Sequence, residues 1–251
     1  MIVLKKLLKT ILPKSIIENL SNIKNTYFDG YALKSYSQEG EDMILRRLFE
    51  KQDTGFYVDV GAHHPKRFSN TYFFYKQGWR GINIDAMPGS MKLFNKIRHK
   101  DINLEKAVAD KKQILTYYIF NEPALNSFSS ELSEDRNSQG NYFIKFTKDI
   151  ETVTLDEILD SYLPKNQVID FLSIDVEGLD FIVLKSINLE KYRPKIILIE
   201  ILGSSLSEIN NNEISKYLIN YGYSVYAKAI NTVIFIDNNF FNKLKTKNKC
   251  L

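Results

Sequence analysis

The chain has 251 residues, of which 44% are apolar and 25% are charged, and these proportions are typical of a soluble globular protein with a substantial core. Its formal charge of +4 comes from the two ends, because residues 1–14 and 243–251 each carry four lysines and no acid. Without those eight lysines, the 34 basic residues fall to 26 against 30 acidic ones, which argues against a nucleic-acid-binding surface on the body of the protein. The single cysteine, Cys250, excludes an internal disulfide framework.

The N-terminal segment "MIVLKKLLKTILPKSIIENL" places leucines and isoleucines at helical spacing with lysines between them. It contains no run near the roughly 18 apolar residues that span a bilayer, and it lacks the apolar core of a signal peptide. Two interpretations remain open: a helix packed on the domain, or an interfacial helix that binds an anionic membrane surface weakly. We therefore assign residues 1–35 to a helical extension and 36–251 to the main domain, and expect a cytoplasmic protein, in the second case peripheral at the inner membrane face.

From residue 36 onward, helical and strand patterns alternate. The strand patterns are short, largely apolar runs. In the first half, helices are predicted at "SQEGEDMILRRLFE", "SNTYFFYKQG" and "PGSMKLFNKIRH", and strands at "GFYVDVG", "WRGINIDA", "INLEKAVAD" and "ILTYYIF".

The second half begins with a polar, irregular segment, residues 121–150, which we interpret as a long loop or lid. Beyond it the pattern predicts helices at "TLDEILDSY", "GLDFIVLKSI" and "ISKYLINYG", and strands at "VIDFLSI", "KIILIEI", "YSVYAKAI" and "TVIFIDN". Nearly continuous apolar strands are typical of a parallel sheet that is buried on both faces. The fold class is therefore α/β, a sandwich with a mostly parallel sheet, and the short turn near Asn231 predicts an antiparallel edge hairpin.

Carboxylates lie at the ends of four predicted strands. In an open α/β sheet, ligands bind beyond the carboxyl ends of the strands, and Asp85, 26 residues after Asp59, stands where an acid accepts hydrogen bonds from ribose hydroxyls. Gly61 would let the backbone approach a ligand. For each acid the alternative is a cap or an ion pair at a strand-to-helix turn. The strand-end acids are Asp59, Asp85, Asp175 with Glu177, and Glu200.

The first strand departs from a dinucleotide fingerprint, because Gly61 is followed by "AHHP" and not by further glycines. A nicotinamide oxidoreductase is therefore the weaker alternative, since pyrophosphate needs close backbone approach. His63 and His64 are either loop residues that hydrogen-bond locally or groups that reach the acceptor or a metal.

Six stretches of the chain, together covering about residues 36–202, resemble the FkbM family of S-adenosylmethionine-dependent methyltransferases. The resemblance implies a class I methyltransferase fold, a Rossmann-like three-layer sandwich with a seven-stranded sheet whose last strand is antiparallel. The matching stretches are "YSQEGEDMIL", "FYVDVGAHHP", "GINIDAMP", "NLEKAVAD", "VTLDEIL" and "FLSIDVEGLDFIVLK".

The resemblance also implies roles for individual residues. The methionine part of the cofactor would contact Asp59 and Gly61, the ribose Asp85, and the adenine Ala109 and Asp110, while Ala62, Ala86 and Asp175 are further cofactor-binding candidates. The upstream pair Gln38 and Glu41 would reach cofactor or substrate, Asp175 and Glu177 would face the transferred methyl group, and the acceptor would meet "ALNSF", residues 124–128.

Methyl transfer from a sulfonium to a sugar hydroxyl needs a group that takes the hydroxyl proton. We consider Glu177 first as the base, Asp175 second and His64 third. A divalent metal on Asp175 and Glu200 is a further hypothesis, with Mg²⁺ suited to oxygen ligands and a transition metal to histidine. The expected function is O-methylation of a sugar or nucleotide-sugar in surface polysaccharide (capsule or lipopolysaccharide) biosynthesis; the alternatives are tailoring of another small molecule or natural product, and a non-catalytic partner that keeps the fold.

Overall fold

The computed structural model describes residues 12–137 and 139–247, and the chain divides into two compact units between Ser35 and Tyr36. The first unit contains helix α1 (Lys14–Tyr27). Residues 1–11 of the proposed amphipathic helix and Cys250 lie outside the described residues. Among the helices of the described part, none has the length and apolar character needed to cross a membrane.

The second unit alternates strands and helices, with 3₁₀ turns at Pro123–Leu125 and Ile209–Asn211. Its strands are β1 (Phe56–Val60), β2 (Arg80–Asp85), β3 (Ile102–Glu105), β4 (Ala107–Val108), β5 (Ile114–Phe120), β6 (Ile144–Val153), β7 (Phe171–Ile174), β8 (Ile196–Glu200), β9 (Tyr223–Ala229) and β10 (Thr232–Asp237). Its α-helices are α2 (Glu41–Leu48), α3 (Tyr72–Gln77), α4 (Met91–Ile97), α5 (Ser130–Arg136), α6 (Leu155–Tyr162), α7 (Asp180–Lys185), α8 (Leu189–Tyr192), α9 (Glu213–Asn220) and α10 (Asn238–Lys247).

A mixed sheet of seven strands, in the order β3-β2-β1-β7-β8-β10-β9, forms the centre of the described part of this unit. The strands from β3 to β8 in this order pair in parallel, whereas β10 pairs antiparallel with both β8 and β9. The α/β class and the antiparallel hairpin at the sheet edge are therefore confirmed. Of the predicted third strand, residues 102–105 join this sheet, while residues 107–108 join a second, smaller one.

Apolar clusters cover both faces of the large sheet, because successive side chains of a strand point to opposite faces. Val58 belongs to one cluster, which helices α6, α7 and α9 complete, and Tyr57 belongs to the other, which α2 and α3 complete. Phe74 and Trp79, from the aromatic stretch after β1, are buried in the second cluster. The strands at the centre of the sheet are thus packed on both faces, and the residues that follow their carboxyl ends are positioned by this core.

The interpretation of residues 121–150 as a loop was wrong. This segment holds a 3₁₀ turn, helix α5 and the first part of β6, which pairs antiparallel with β5 and parallel with β4 in the second sheet. Ser129 caps α5, since its hydroxyl accepts the backbone N–H of Leu132 at 3.2 Å. Most side chains of β6 are exposed, so its sequence carries no apolar alternation, and its pairing with β5 is what makes it a strand.

Candidate functional site

A cleft opens where β1, β2 and β7 end, and it encloses about 890 Å³ of space, part of it open to solvent. This position agrees with the rule for open α/β sheets. Of the residues that the sequence assigned to a site one by one, six line the cleft: Gln38, Gly61, Asp85, Ala86, Asp175 and Glu177. His63 lines it too, as do Ala124, Asn126 and Phe128 of the stretch "ALNSF". The others, Glu41, Asp59, Ala62, His64, Ala109, Asp110 and Glu200, are not among its lining residues.

Asp85, the last residue of β2, is buried and holds two turns of the chain in place. Its Oδ2 accepts the backbone N–H of His63 at 2.8 Å, and its Oδ1 accepts that of Met87 at 2.8 Å. Burial raises the pKa of Asp85, and these two hydrogen bonds oppose that rise. Because a carboxylate oxygen has two acceptor positions, each oxygen can still accept one hydroxyl from a ligand in the cleft.

Gly61 has a left-handed backbone with φ of +81°. A Cβ atom at this position would lie 1.7 Å from the carbonyl oxygen of Asp175, which follows the neighbouring strand β7. The sequence explained this glycine by the approach of a ligand. In the structure, the approach of the protein's own backbone already excludes a side chain.

Four carboxylates gather beside the cleft at the ends of β7 and β8: Asp175, Glu177, Asp180 and Glu200. Asp175 is exposed to the open cleft, but the protein atoms packed around it, together with the charges of Glu200 and Glu177, raise its pKa well above the usual range. Burial and the charges of Glu177 and Asp180 raise the pKa of Glu200 to about 8, and its Oε2 is buried without a hydrogen-bond partner among the described residues. Burial raises the pKa of Asp180 to about 6, although it accepts the N–H groups of Val176 and Gly178.

Of these four carboxylates, Glu177 forms an ion pair with a residue of helix α5. It has a left-handed backbone with φ of +55°. Arg136, at the end of α5, forms an ion pair with its carboxylate at 2.6 Å, and the Ser127 hydroxyl donates to its carbonyl oxygen at 2.6 Å. Burial raises the pKa of Glu177, and Arg136 opposes that rise. The sequence offered no signal for Arg136, because it lies in the segment interpreted as a loop.

The two histidines after β1 have different environments. The Nδ1 of His64 accepts the backbone N–H groups of Lys66 at 3.0 Å and Arg67 at 2.9 Å, so this ring orders its own loop. His63, in contrast, lines the cleft. The role of His64 as a third candidate base stays a prediction, and its observed contacts are those of a loop residue.

Asp59 belongs to a buried polar network away from the lining of the cleft. It accepts the Thr71 hydroxyl at 2.7 Å, and Arg98 donates to the same Thr71 oxygen at 2.9 Å. The side chains of Arg98 and Asp101 are fully buried and form an ion pair at 2.9 Å. Burial raises the pKa of Asp59 and the charge of Arg98 opposes it. In this structure Asp59 therefore stabilises β1, the strand that ends immediately before Gly61.

The remaining assigned residues also have structural partners or lie at the surface. Glu41 is buried and accepts the Thr232 hydroxyl at 3.1 Å, which joins α2 to β10. Ala62 and Ala109 are buried, and the N–H of Ala109 donates to the Val153 carbonyl at 3.0 Å. Asp110 is exposed.

The metal hypothesis on Asp175 and Glu200 gains no support from the geometry. Within residues 12–137 and 139–247, no group of three or more His, Cys, Asp or Glu side chains is arranged to hold a metal ion. The carboxylates are close enough to repel one another, and this repulsion raises their pKa values. Protonation of a carboxylate relieves the repulsion without a bound cation.

An apolar wall completes the cleft. It includes Met87, Val108, Tyr117 and Phe128, and the rings of Tyr117 and Phe128 lie 4.4 Å apart between centroids. Of these four residues, only Phe128, within "ALNSF", had been placed at the site from the sequence. Tyr117 belongs to β5, which was predicted as a strand but not placed at the site. Flat apolar surfaces of this kind suit an aromatic ring in a ligand.

The fold and the cleft define an α/β protein with a ligand site at the carboxyl edge of its sheet. The sequence model of the methyltransferase FkbM domain matches residues 59–225, more than half of the chain. The chain therefore belongs to the FkbM methyltransferase family, as the resemblance implied, and this membership supports a methyltransferase activity. No curated protein matches the chain.

Proposed function

We propose that the protein transfers a methyl group from S-adenosylmethionine to a hydroxyl of a sugar or nucleotide-sugar during surface polysaccharide biosynthesis. One observation carries the proposal: the cleft of this methyltransferase-family domain is lined both by Asp85, which is placed to accept hydrogen bonds from ribose hydroxyls, and by the carboxylates of Asp175 and Glu177. The strand order of the large sheet, with β10 antiparallel, supports a class I methyltransferase fold.

The cleft offers the groups that this cofactor requires. Asp85 keeps an acceptor position on each oxygen for a pair of ribose hydroxyls. Met87, Val108 and Phe128 provide apolar surface for the adenine ring. The bound cofactor supplies a methyl group that is activated by its sulfonium. The neutral thioether that remains after transfer is a good leaving group.

The chain itself must orient the acceptor and take its proton, because a sugar hydroxyl is a very weak acid. Glu177 is the first candidate for the base: it lines the cleft, and the Arg136 ion pair favours its ionised, proton-accepting form. Asp175 is the second candidate. The polar groups on the lining, which also include Gln38 and Asn126, suit an acceptor with several hydroxyls.

Calorimetric titration with S-adenosylhomocysteine and with NAD tests the cofactor class. We expect binding of the first and none of the second. Asp85→Ala should weaken S-adenosylhomocysteine binding tenfold or more, because two hydrogen bonds to a charged group contribute about 1.5–3 kcal/mol each.

The matched control is Asp53→Ala, an exposed aspartate before the opposite end of β1, which should leave the affinity unchanged. Asp85→Ala also frees two backbone N–H groups, so thermal unfolding must show that the variant is folded at the titration temperature. Affinity within twofold of the wild type in a folded Asp85→Ala variant would contradict the assignment.

The acceptor class is tested with labelled S-adenosylmethionine and a panel of nucleotide-sugars and capsule or lipopolysaccharide fragments. Label transfer to at least one sugar supports the proposal. Binding of S-adenosylhomocysteine without transfer to any sugar, together with transfer to a non-sugar hydroxyl, would overturn the acceptor class and leave the cofactor assignment intact.

A further inference from the structure

His63 is held at the cleft by its main chain. Its backbone is left-handed with φ of +50°, and its N–H donates to Asp85 Oδ2 at 2.8 Å. The ring stacks on Phe68, with centroids 6.2 Å apart and planes inclined by 20°. Main chain and ring are therefore both restrained, so the ring nitrogens have a defined place in the lining of the cleft.

The Nε2 atom of this ring is buried and has no hydrogen-bond partner among the described residues. A buried polar atom without a partner destabilises a protein, and in native structures such atoms are uncommon and call for an explanation. Burial, followed by the charges of Arg67 and His64, lowers the pKa of His63. The lowered pKa favours the neutral ring, in which one nitrogen donates and the other accepts.

We infer that Nε2 of His63 hydrogen-bonds a polar group of the bound S-adenosyl cofactor, an inference that rests on the proposed function. The ring belongs to the lining of the cleft, so a bound ligand can provide the partner that the protein lacks. The cofactor is favoured over the acceptor because His63 is bonded to Asp85, the proposed ribose acceptor, and follows Gly61 by two positions. A ribose hydroxyl or the amino acid end of the cofactor can both pair with an imidazole nitrogen.

Three substitutions of His63 separate hydrogen bonding by Nε2 from packing of the ring. The amide of His63→Gln reaches the place of Nε2, that of His63→Asn reaches the place of Nδ1, and His63→Phe fills the space without a polar atom. Gln and Phe at position 63 pay a similar free-energy cost for the left-handed backbone. The difference in affinity between these two variants therefore reports the hydrogen bond alone. Calorimetry with S-adenosylhomocysteine should give an affinity about fivefold lower for Phe and Asn, and within twofold of the wild type for Gln.

The control is His99→Phe, which replaces the exposed third histidine of the chain and should bind like the wild type. Thermal unfolding confirms that each variant is folded. A second titration uses 5′-methylthioadenosine, which lacks the amino acid end. A His63→Phe loss with both compounds supports contact with the ribose, and a loss with S-adenosylhomocysteine alone supports contact with the amino acid end.

Equal affinities for the wild type and His63→Phe would overturn the inference. An equal loss in Gln, Asn and Phe would also overturn it, because the ring's packing on Phe68 would then be the cause. A folded wild type that binds neither compound would overturn the proposed function together with the inference, whereas wild-type binding with an unaffected Phe variant would overturn the inference alone.

Discussion

At the scale of single residues, backbone conformation and close approach decide which side chains the site can hold. Gly61 and Gly89 have nearly the same left-handed backbone, with φ of +81° and +83°. A Cβ at Gly61 would overlap the Asp175 carbonyl oxygen at 1.7 Å, whereas a Cβ at Gly89 would meet nothing within 4 Å. The pair therefore separates the cost of an unfavourable φ from the cost of a backbone clash.

Gly61→Ala should lower the free energy of unfolding by more than about 3 kcal/mol, because β1 or β7 must move to admit the methyl group. Gly89→Ala should lower it by about 1–2 kcal/mol, the cost of the left-handed conformation alone. Urea denaturation of both variants measures the difference. Equal losses would show that the contact between Gly61 and Asp175 is relaxed in solution.

At the scale of elements, helix α5 connects the second sheet to the acids of the cleft. The ion pair between Arg136 and Glu177 and the hydrogen bond from Ser127 both reach the loop after β7. The two charged side chains are about four-fifths buried, with 18% and 20% of their surfaces exposed. This contact carries more weight than a surface ion pair, because less water screens it.

Arg136→Met should leave Glu177 beside Asp175 and Glu200 without its cation. We expect faster amide hydrogen exchange over residues 121–137 and a free energy of unfolding lower by about 1 kcal/mol or more. The control is Arg47→Met, because the ion pair of Arg47 with Glu50 is exposed and contributes little. Unchanged exchange in the segment would mean that α5 is held without the ion pair.

At the scale of the whole molecule, the parallel strands bring acids that are far apart in sequence to one edge of the sheet. The folded protein raises the pKa of Glu200 to about 8, mainly through burial and then through Glu177 and Asp180, while Arg136 opposes and Glu39 adds to the rise. A raised carboxyl pKa means that the folded state binds this proton more tightly than the unfolded chain does. The contribution of Glu200 to stability is therefore full below the ordinary glutamate pKa near 4.5 and declines as pH rises toward 8.

Glu200→Gln keeps the size of the side chain and stays neutral at every pH. The variant should gain stability relative to the wild type as pH rises from about 5 to 8, by more than about 1 kcal/mol at the upper end. Chemical denaturation at several pH values measures the difference, and Glu134→Gln, an exposed glutamate on α5, serves as the control. A difference that stays constant with pH would show that Glu200 titrates normally in the folded state.

Much of the fold was predictable, because a strand that is buried on both faces has a nearly continuous apolar sequence. "VIDFLSI" and "KIILIEI" are almost wholly apolar, and they became β7 and β8 at the centre of the sheet. Strand β6 could not be recognised from its own residues, since most of its side chains are exposed and its stability comes from pairing with β5. Nonlocal pairing of this kind leaves no pattern within the segment.

The candidate site was likewise predictable only in part. The position of the cleft, with Asp85, Gly61 and the "DVEG" acids on its lining, followed from the end of each strand in the sequence. The contacts of Arg136, the unpartnered Nε2 of His63 and the engagement of Asp59 with Thr71 did not, because each depends on side chains distant in the chain or on their orientation.

By itself, the sequence determined the α/β class, the family and the edge of the sheet at which ligands bind, because the order of apolar strands and the acids that end them are local properties of the chain. The tertiary structure decided which of two adjacent histidines lines the cleft and why residue 61 must be glycine. It also decided which carboxylate has a cationic partner. These outcomes depend on distances of a few ångströms between segments that only folding brings together.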